Sequence, residues 1–208
     1  MAYQPAGKQG EQHRVFKLLV LTFCLSPLLW LAIPLGAHGL GVNPGEALLR
    51  GTGDWALRAV FAVLAMAPLQ QISGWICLGP MRRTVGLFAC FYAMLHALIY
   101  AWLEIGWSWS AVVHDMGQRP FIAVGVAALG ILLAMAASSS SRAIEILGRQ
   151  RWKRLHHLLH LAAWLTVLHF YWMRVAKNDV QEVWIYAAVL LLMQAWRIWF
   201  WLRHIKMV

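Results

Sequence analysis

Charged residues are scarce in this sequence, and acidic residues are the scarcest. Only 12% of the 208 residues are charged, and 8 Asp and Glu stand against 18 Lys and Arg, for a formal net charge of +10. In contrast, 61% of the residues are hydrophobic and the mean hydropathy is +0.60. A water-soluble domain of this length cannot cover so much apolar surface, so the composition excludes an ordinary globular protein and predicts a membrane protein.

Cysteine and the common enzyme signatures are also in short supply. Cys24, Cys77 and Cys90 lie in or beside apolar runs without Cys-x-x-Cys spacing, which predicts packing residues and neither a zinc site nor a disulfide framework. No His-Glu-x-x-His pattern, Gly-x-Ser-x-Gly elbow, P-loop or dinucleotide-binding glycine pattern occurs. We therefore predict no catalytic side chain in the chain itself and expect its chemistry to come from a cofactor.

The apolar residues fall into six runs, each close to the roughly 20 residues with which a helix crosses a bilayer. The runs predict an all-α bundle of six transmembrane helices, forming one domain over 15–204 behind a polar tail at 1–14. Glycine-rich residues 36–54 and the serines at 138–141 predict loops between helices. The predicted spans cover residues 15–35, 55–76, 84–105, 120–137, 152–173 and 183–202.

The basic residues indicate how the bundle sits in the membrane. All Lys and Arg except Arg50, Arg58, Arg119, Arg174 and Lys177 fall on the same side as the N-terminus in this six-span arrangement. Because Lys and Arg concentrate on the cytoplasmic side, both termini are predicted to be cytoplasmic. The basic residues flank the spans without forming one face, so we predict contact with membrane lipid and no nucleic-acid partner.

Histidines inside the apolar runs are the strongest candidates for a functional site, because buried imidazoles usually ligate metals or relay protons. At 1.5 Å per residue, His96 and His169 both lie roughly 20 Å along their helices from the inner side. Two imidazoles at one depth on different helices predict the axial ligands of a single haem. The alternative is that each histidine makes a buried hydrogen bond between helices.

A second group of histidines lies at the inner mouth of the fifth span. His156 is predicted to be an alternate ligand, a second-haem ligand with an unusual partner, or a contact for a cofactor or quinone. His157 and His160 are both candidates to assist it: His160 lies one helical turn from His156 on the same face, whereas His157 is predicted to point elsewhere. The remaining histidines are predicted to be surface residues: His13, His38, His114 and His204.

Several short motifs, weak singly, occur together in a fairly specific order. They include Gly53-Asp-Trp-Ala-Leu-Arg58, Arg82-Arg83-x-x-Gly86-Leu, Phe91-Tyr-Ala-x-Leu-His96, Arg151-Trp-x-x-Leu-His156 and His169-Phe-Tyr-Trp172, with Ala67-Pro-Leu69 and Arg119-Pro120 between them. In these residues the chain resembles the MsrQ (YedZ) family. Members of that family are haem-binding membrane subunits of the periplasmic methionine sulfoxide reductase system, within the ferric-reductase-like transmembrane group.

The resemblance implies a six-helix protein of the bacterial inner membrane with haem b and an associated FMN. It also implies electron delivery from the quinone pool to a periplasmic, molybdopterin-containing partner that reduces methionine sulfoxide in oxidised proteins. At matching positions His96, His156 and His169 would be the functional histidines. The FMN residues are not identified by the resemblance; the basic connection 142–154 is favoured by its charge, which suits a phosphate.

The function predicted from all of this is a haem b electron-transfer subunit, supplied by the quinone pool or by a cytoplasmic flavin reductase. Two alternatives remain open. One is a non-redox transporter or assembly protein with structural histidines, although the few acids lie at span ends, which argues against a carboxylate-driven transport core. The other is a ferric reductase built on the same bundle.

Overall fold

The computed structural model describes residues 6–37, 43–175 and 177–205, with the side chains of 6–14, 32–37 and 204–205 outside the description. All regular secondary structure in these ranges is α-helical, and they contain eight helices. The helices are α1 (Ala6–Ala37), α2 (Pro44–Ser73), α3 (Leu78–Leu103), α4 (Trp109–Gln118), α5 (Pro120–Ala137), α6 (Ser141–Leu147), α7 (Arg149–Val175) and α8 (Gln181–Ile205).

Each of the six long helices overlaps one of the six predicted spans, and α5 has the predicted bounds. In the described residues, α2, α3, α5 and the segment Gln181–Arg203 of α8 are long and apolar enough to cross a membrane by length and composition. The apolar stretch of α1, Val15–Leu31, is shorter. α7 opens with several Lys and Arg and carries four histidines, so it is less apolar than the other long helices. The count of six crossings therefore stays a prediction.

The loop predicted over residues 36–54 is wrong from Pro44 onward, because α2 begins there. The Asn43 side chain accepts a hydrogen bond of 3.2 Å from the Glu46 backbone N–H, and proline suits the first helical turn that follows. The glycines that suggested a loop allow close packing between helices instead. A β-carbon at position 51 would lie 2.6 Å from the Leu31 side chain of α1.

The two short helices lie in segments that the sequence predicted as connections. Ser108 precedes α4 and accepts a hydrogen bond from the Ala111 N–H, and Ser140 precedes α6 and accepts one from Ala143. Serine favours such cap positions over helix interiors. The serines that follow α5 therefore also start α6. At the other end of the chain, α1 begins at Ala6, inside the predicted polar tail.

Four helices form the centre of the molecule. α2 packs along α3, α5 packs along α7, and the two pairs meet through α3 with α5 and α2 with α7. Ala162 and Ala163 are fully buried, and such small residues let helices approach closely in a membrane. Cys90 is buried in this core, and all three cysteines are free. α1 packs outside against α2 and α3, and α8 against α2 and α7.

Candidate functional site

His96 of α3 and His169 of α7 face each other across the central four helices. Their ring centroids are 6.2 Å apart, and the ring planes are 86° apart. α3 and α7 both begin beside the same cavity, at the basic end of the bundle, and run from it toward the opposite end. The equal depth predicted from the rise per residue thus corresponds to an actual meeting of the two imidazoles.

Each of these rings is held by a backbone carbonyl on a neighbouring helix. His96 Nδ1 lies 2.9 Å from the Leu49 oxygen of α2, and His169 Nδ1 lies 2.7 Å from the Phe121 oxygen of α5. A carbonyl oxygen only accepts, so Nδ1 carries the hydrogen in both rings. In a neutral imidazole this leaves the lone pair on Nε2, which is the arrangement of histidines that ligate metals.

The spacing of the two rings suits a metal between them. Metal bonds to imidazole nitrogen are about 2.0–2.1 Å long, which places two opposed rings with their centroids about 6 Å apart. Within the described ranges no group of three or more His, Cys, Asp or Glu side chains is placed to hold a metal ion. The pair therefore offers two nitrogens and would suit a metal whose other ligands come from a macrocycle such as haem.

Sequence reasoning missed the groups that support these rings. Leu49 and Phe121 act through backbone oxygens, which every residue carries, so no sequence signal marks them. Gly53 and Gly125 pack directly against the His96 and His169 rings. A signal for them does exist, since glycine inside an apolar helix usually has a packing reason.

A second site lies at the basic end of the bundle. It is a cavity of about 680 Å³, within the usual size range of cofactor pockets. Its charged lining residues are all basic, so the cavity favours an anionic group such as a carboxylate or phosphate. The charged lining residues are Arg82, Arg83, Lys153 and Arg197, and three histidines lie beside them: His156, His157 and His160.

His156 has one nitrogen engaged within its own helix. Its Nδ1 lies 3.1 Å from the Trp152 carbonyl oxygen, and its ring packs on the Trp152 ring at 4.2 Å between centroids. Nδ1 is therefore the donor, and Nε2 carries the lone pair. His156 lines the inner cavity and is not brought to the His96 and His169 pair. Its Nε2 is therefore left for a ligand other than one held by that pair.

His160 has both nitrogens engaged by protein. Nε2 accepts a 2.7 Å hydrogen bond from Arg197, and the Gln194 side chain lies 2.9 Å from Nδ1. Arg197 also donates to the Leu64 carbonyl at 2.9 Å, so His160 orients a cation at the cavity wall. His157 was predicted to point elsewhere, but it lines the same cavity, and its ring stacks near His160 at 6.3 Å.

A polar cluster closes the opposite end beside the histidine pair. Arg119 donates two hydrogen bonds of 2.6 Å to the Asp115 carboxylate, and Tyr100 of α3 donates a third. Burial disfavours the charged carboxylate, but the hydrogen bonds from Arg119 and Tyr100 outweigh it and hold the Asp115 pKa below its ordinary value. The cluster fixes the start of α5, whose Phe121 carbonyl holds His169.

Ion pairs and an exposed histidine also lie at the end of the bundle away from the basic cavity. Arg174 is only 9% exposed and pairs with Asp179 and Glu182, tying α7 to α8. His114 is exposed on α4, as predicted for a surface histidine. His13, His38 and His204 lie outside the residues with described side chains.

Comparisons with known proteins agree on one group. The family described as ferric reductase like transmembrane component matches residues 52–167. The chain is 44% identical to the protein-methionine-sulfoxide reductase heme-binding subunit MsrQ of Polaromonas naphthalenivorans, over 96% of this chain and 91% of that protein. The subunit of the same name in Azospira oryzae is 39% identical over 95% of this chain and 83% of that protein. The one in Herminiimonas arsenicoxydans is 36% identical over 99% of this chain and 94% of that protein. No solved structure gives a significant match.

Proposed function

The chain belongs to the MsrQ family, in the ferric reductase-like transmembrane group, and from this premise we propose that it is a haem b electron-transfer subunit. Its relatives are named as heme-binding subunits of a protein-methionine-sulfoxide reductase. It is a multi-pass membrane protein, with several apolar helices of membrane length. The observation that carries the proposal is the meeting of the His96 and His169 rings at 6.2 Å.

The residues around the pair fit a haem. His96 and His169 offer Nε2 lone pairs, and the Leu49 and Phe121 carbonyls fix the tautomer and the orientation of the rings. When bound, haem supplies a one-electron couple between ferric and ferrous iron. His96 and His169 would hold the iron, and the apolar helices around them would exclude water, and both would tune the potential of that couple. No side chain is assigned a catalytic role.

We place the six long helices across a bacterial inner membrane with both termini in the cytoplasm. The basic end of the bundle, with Arg82, Arg83 and Lys153, then faces the cytoplasm, and the distribution of Lys and Arg supports this orientation. His96 and His169 fall in the outer half of the membrane. Their position favours an electron acceptor on the periplasmic side.

The inner cavity is proposed as a second cofactor site with His156 at its wall. Its basic lining suits the shared chemistry of two candidates, the carboxylates of a second haem and the phosphate of FMN. The cavity opens at the side where electrons would enter, from the quinone pool or from a cytoplasmic flavin reductase. The basic connection 142–154 borders it, since Ile144, Trp152 and Lys153 are among its lining residues.

The proposed acceptor is a periplasmic, molybdopterin-containing methionine sulfoxide reductase. Purified protein should show a Soret band that shifts on reduction with dithionite, whereas a transporter or assembly protein with structural histidines would be colourless. The reduced protein should then be fully reoxidised by a substoichiometric amount of that partner only when a methionine-sulfoxide substrate is present. A colourless preparation, or no reoxidation under these conditions, would overturn the proposal.

A ferric reductase is the second candidate, because the matching family carries that description. The same reduced protein can be mixed with chelated ferric iron in the absence of the partner. Reoxidation by iron at least as fast as by the partner and its substrate would favour the ferric reductase. Slow reaction with iron and fast reaction with the partner would favour the methionine sulfoxide system.

A further inference from the structure

The two histidines rest on neighbouring helices in the same way. His96 Nδ1 donates to the Leu49 oxygen, and the residue four positions later is Gly53. His169 Nδ1 donates to the Phe121 oxygen, and the residue four positions later is Gly125. In an α-helix a carbonyl already accepts from the N–H four residues later, so a ring must approach its second lone pair past that later residue.

The later residue has to be very small for this approach. A β-carbon at position 53 would lie 3.0 Å from His96 Nδ1 and 3.1 Å from Cε1. A β-carbon at position 125 would lie 2.8 Å from His169 Nδ1 and 2.9 Å from Cε1. Both sets of distances are below ordinary van der Waals contact, and the second is the tighter. A β-carbon at position 125 would force the His169 ring to shift, and one at position 53 would require the His96 ring to give by a few tenths of an ångström.

Other glycines of the same helices lack this relationship. A β-carbon at Gly130 of α5 would meet no atom within 4 Å, and the three atoms nearest to one at Gly51 of α2 would all belong to the Leu31 side chain. Glycine weakens a helix interior relative to alanine, so its use at 53 and 125 has a local cost. The close contacts with the His96 and His169 rings explain why glycine is present at 53 and 125 although it lowers helix stability.

We propose that Gly53 and Gly125 are positioning residues for the two histidine ligands. Together with Leu49 and Phe121 they form two histidine seats, each a helix carbonyl exposed by a glycine four residues later. Each seat fixes the tautomer and the plane of its ring and so directs Nε2 away from the supporting helix. This inference rests on the proposed haem function for its consequence, but the seats themselves are a property of the chain.

Two substitutions and two matched controls test the seats. Gly53→Ala and Gly125→Ala place a methyl group against a ring, whereas Gly51→Ala clashes with Leu31 and Gly130→Ala enters open space. We expect haem retention to weaken roughly 10-fold or more in the first two, the range in which supporting groups of ligands act. The ferric low-spin spectrum should shift as well, more for Gly125→Ala. Haem retention and spectrum unchanged in both would overturn the proposal.

A double-mutant cycle gives a readout that does not need haem. Thermal unfolding of haem-free protein is compared for wild type, Gly125→Ala, His169→Ala and the double variant. If the alanine acts through the ring, its destabilisation should disappear when His169 is already alanine. If Gly125→Ala lowers the thermal stability as much in the His169→Ala background as in wild type, Gly125 has a general packing role. That result would overturn the proposal even if Gly125→Ala alone folds poorly.

The two tests separate this inference from the proposed function. Coupling between Gly125 and His169 in a protein that never binds haem would support the seat and contradict the haem function. Bound haem with no coupling, and with unchanged spectra in both glycine variants, would contradict the seat and leave the function standing.

Discussion

The rings of His96 and His169 stand nearly at right angles, with 86° between their planes. Each plane is set by a different helix, since one ring donates to the Leu49 oxygen of α2 and the other to the Phe121 oxygen of α5. Perpendicular axial imidazoles leave the d orbitals of a low-spin ferric ion nearly degenerate. Parallel imidazoles split them.

The first prediction is spectroscopic. Low-temperature electron paramagnetic resonance of the oxidised protein should show a highly anisotropic low-spin ferric signal, because the two axial ring planes are crossed. Gly130→Ala serves as a control that should keep the signal, since its methyl group touches nothing within 4 Å. A rhombic low-spin signal of the kind given by parallel rings would show that this ring geometry is not the haem-bound one.

The second prediction concerns the inner cavity. His156→Ala should lower the content of the cofactor held there, because this side chain presents Nε2 at the cavity wall. Haem is measured by pyridine haemochrome and FMN by the fluorescence of acid-released flavin, so the two candidates are distinguished directly.

His114→Ala is the control for that experiment, since this exposed histidine of α4 is not among the residues that line the cavity. It should lose much less cofactor than His156→Ala. The anisotropic ferric signal of the other site should persist in both variants. Full haem and flavin content in His156→Ala would remove His156 from the site.

The third prediction compares two arginines of α8. Arg197→Met removes hydrogen bonds to His160 and to the Leu64 carbonyl, and hydrogen bonds of a charged group are typically worth about 1.5–3 kcal/mol. Among the described residues, Arg203→Met removes an exposed contact over the Trp199 ring, worth about 0.5–1 kcal/mol. Unfolding in detergent should rank Arg197→Met as the less stable variant, and the reverse order would refute the structural role given to Arg197.

The fourth prediction is a pH dependence at the opposite end. The pKa of Asp115 is lowered in the folded protein, so its contribution to stability is complete above the ordinary aspartate pKa of about 3.9 and is lost as pH falls through the lower folded value. Melting temperatures of wild type and Asp115→Asn should therefore differ at neutral pH and converge in acid. The exposed Glu145 supplies the control, Glu145→Gln, for which no comparable difference is expected.

Convergence at acid pH is the decisive feature of that comparison. A melting difference between wild type and Asp115→Asn that stays constant from neutral pH into acid would mean that the charge of Asp115 has no part in it. The Tyr100 and Arg119 contacts would then be incidental.

Much of the fold follows from features visible in the sequence. The bounds of α5 are predictable because Pro120 and the serines from Ser138 mark both of its ends. The meeting of His96 and His169 follows from the fixed rise of a helix, which converts residue number into depth. In each case a local rule acts over a long, uninterrupted helix, and tertiary context does not override it.

The predictions that failed concern residues whose structure depends on packing against a distant helix. The glycines at 45, 51 and 53 resemble a loop in composition, yet they lie in α2, because neighbouring side chains occupy the space that their missing β-carbons leave. The tautomers of the two histidines depend on backbone carbonyls of other helices, which no sequence pattern identifies. The full engagement of His160 likewise depends on α8, distant in the chain.

The most direct test of the account is the haem spectrum of His96→Ala and His169→Ala beside that of His114→Ala, an exposed control. We predict that each of the first two variants inserts in the membrane but loses the anisotropic ferric signal and the haem that produces it, while His114→Ala keeps both. Retention of that haem and its signal in His96→Ala and His169→Ala would contradict the axial pair.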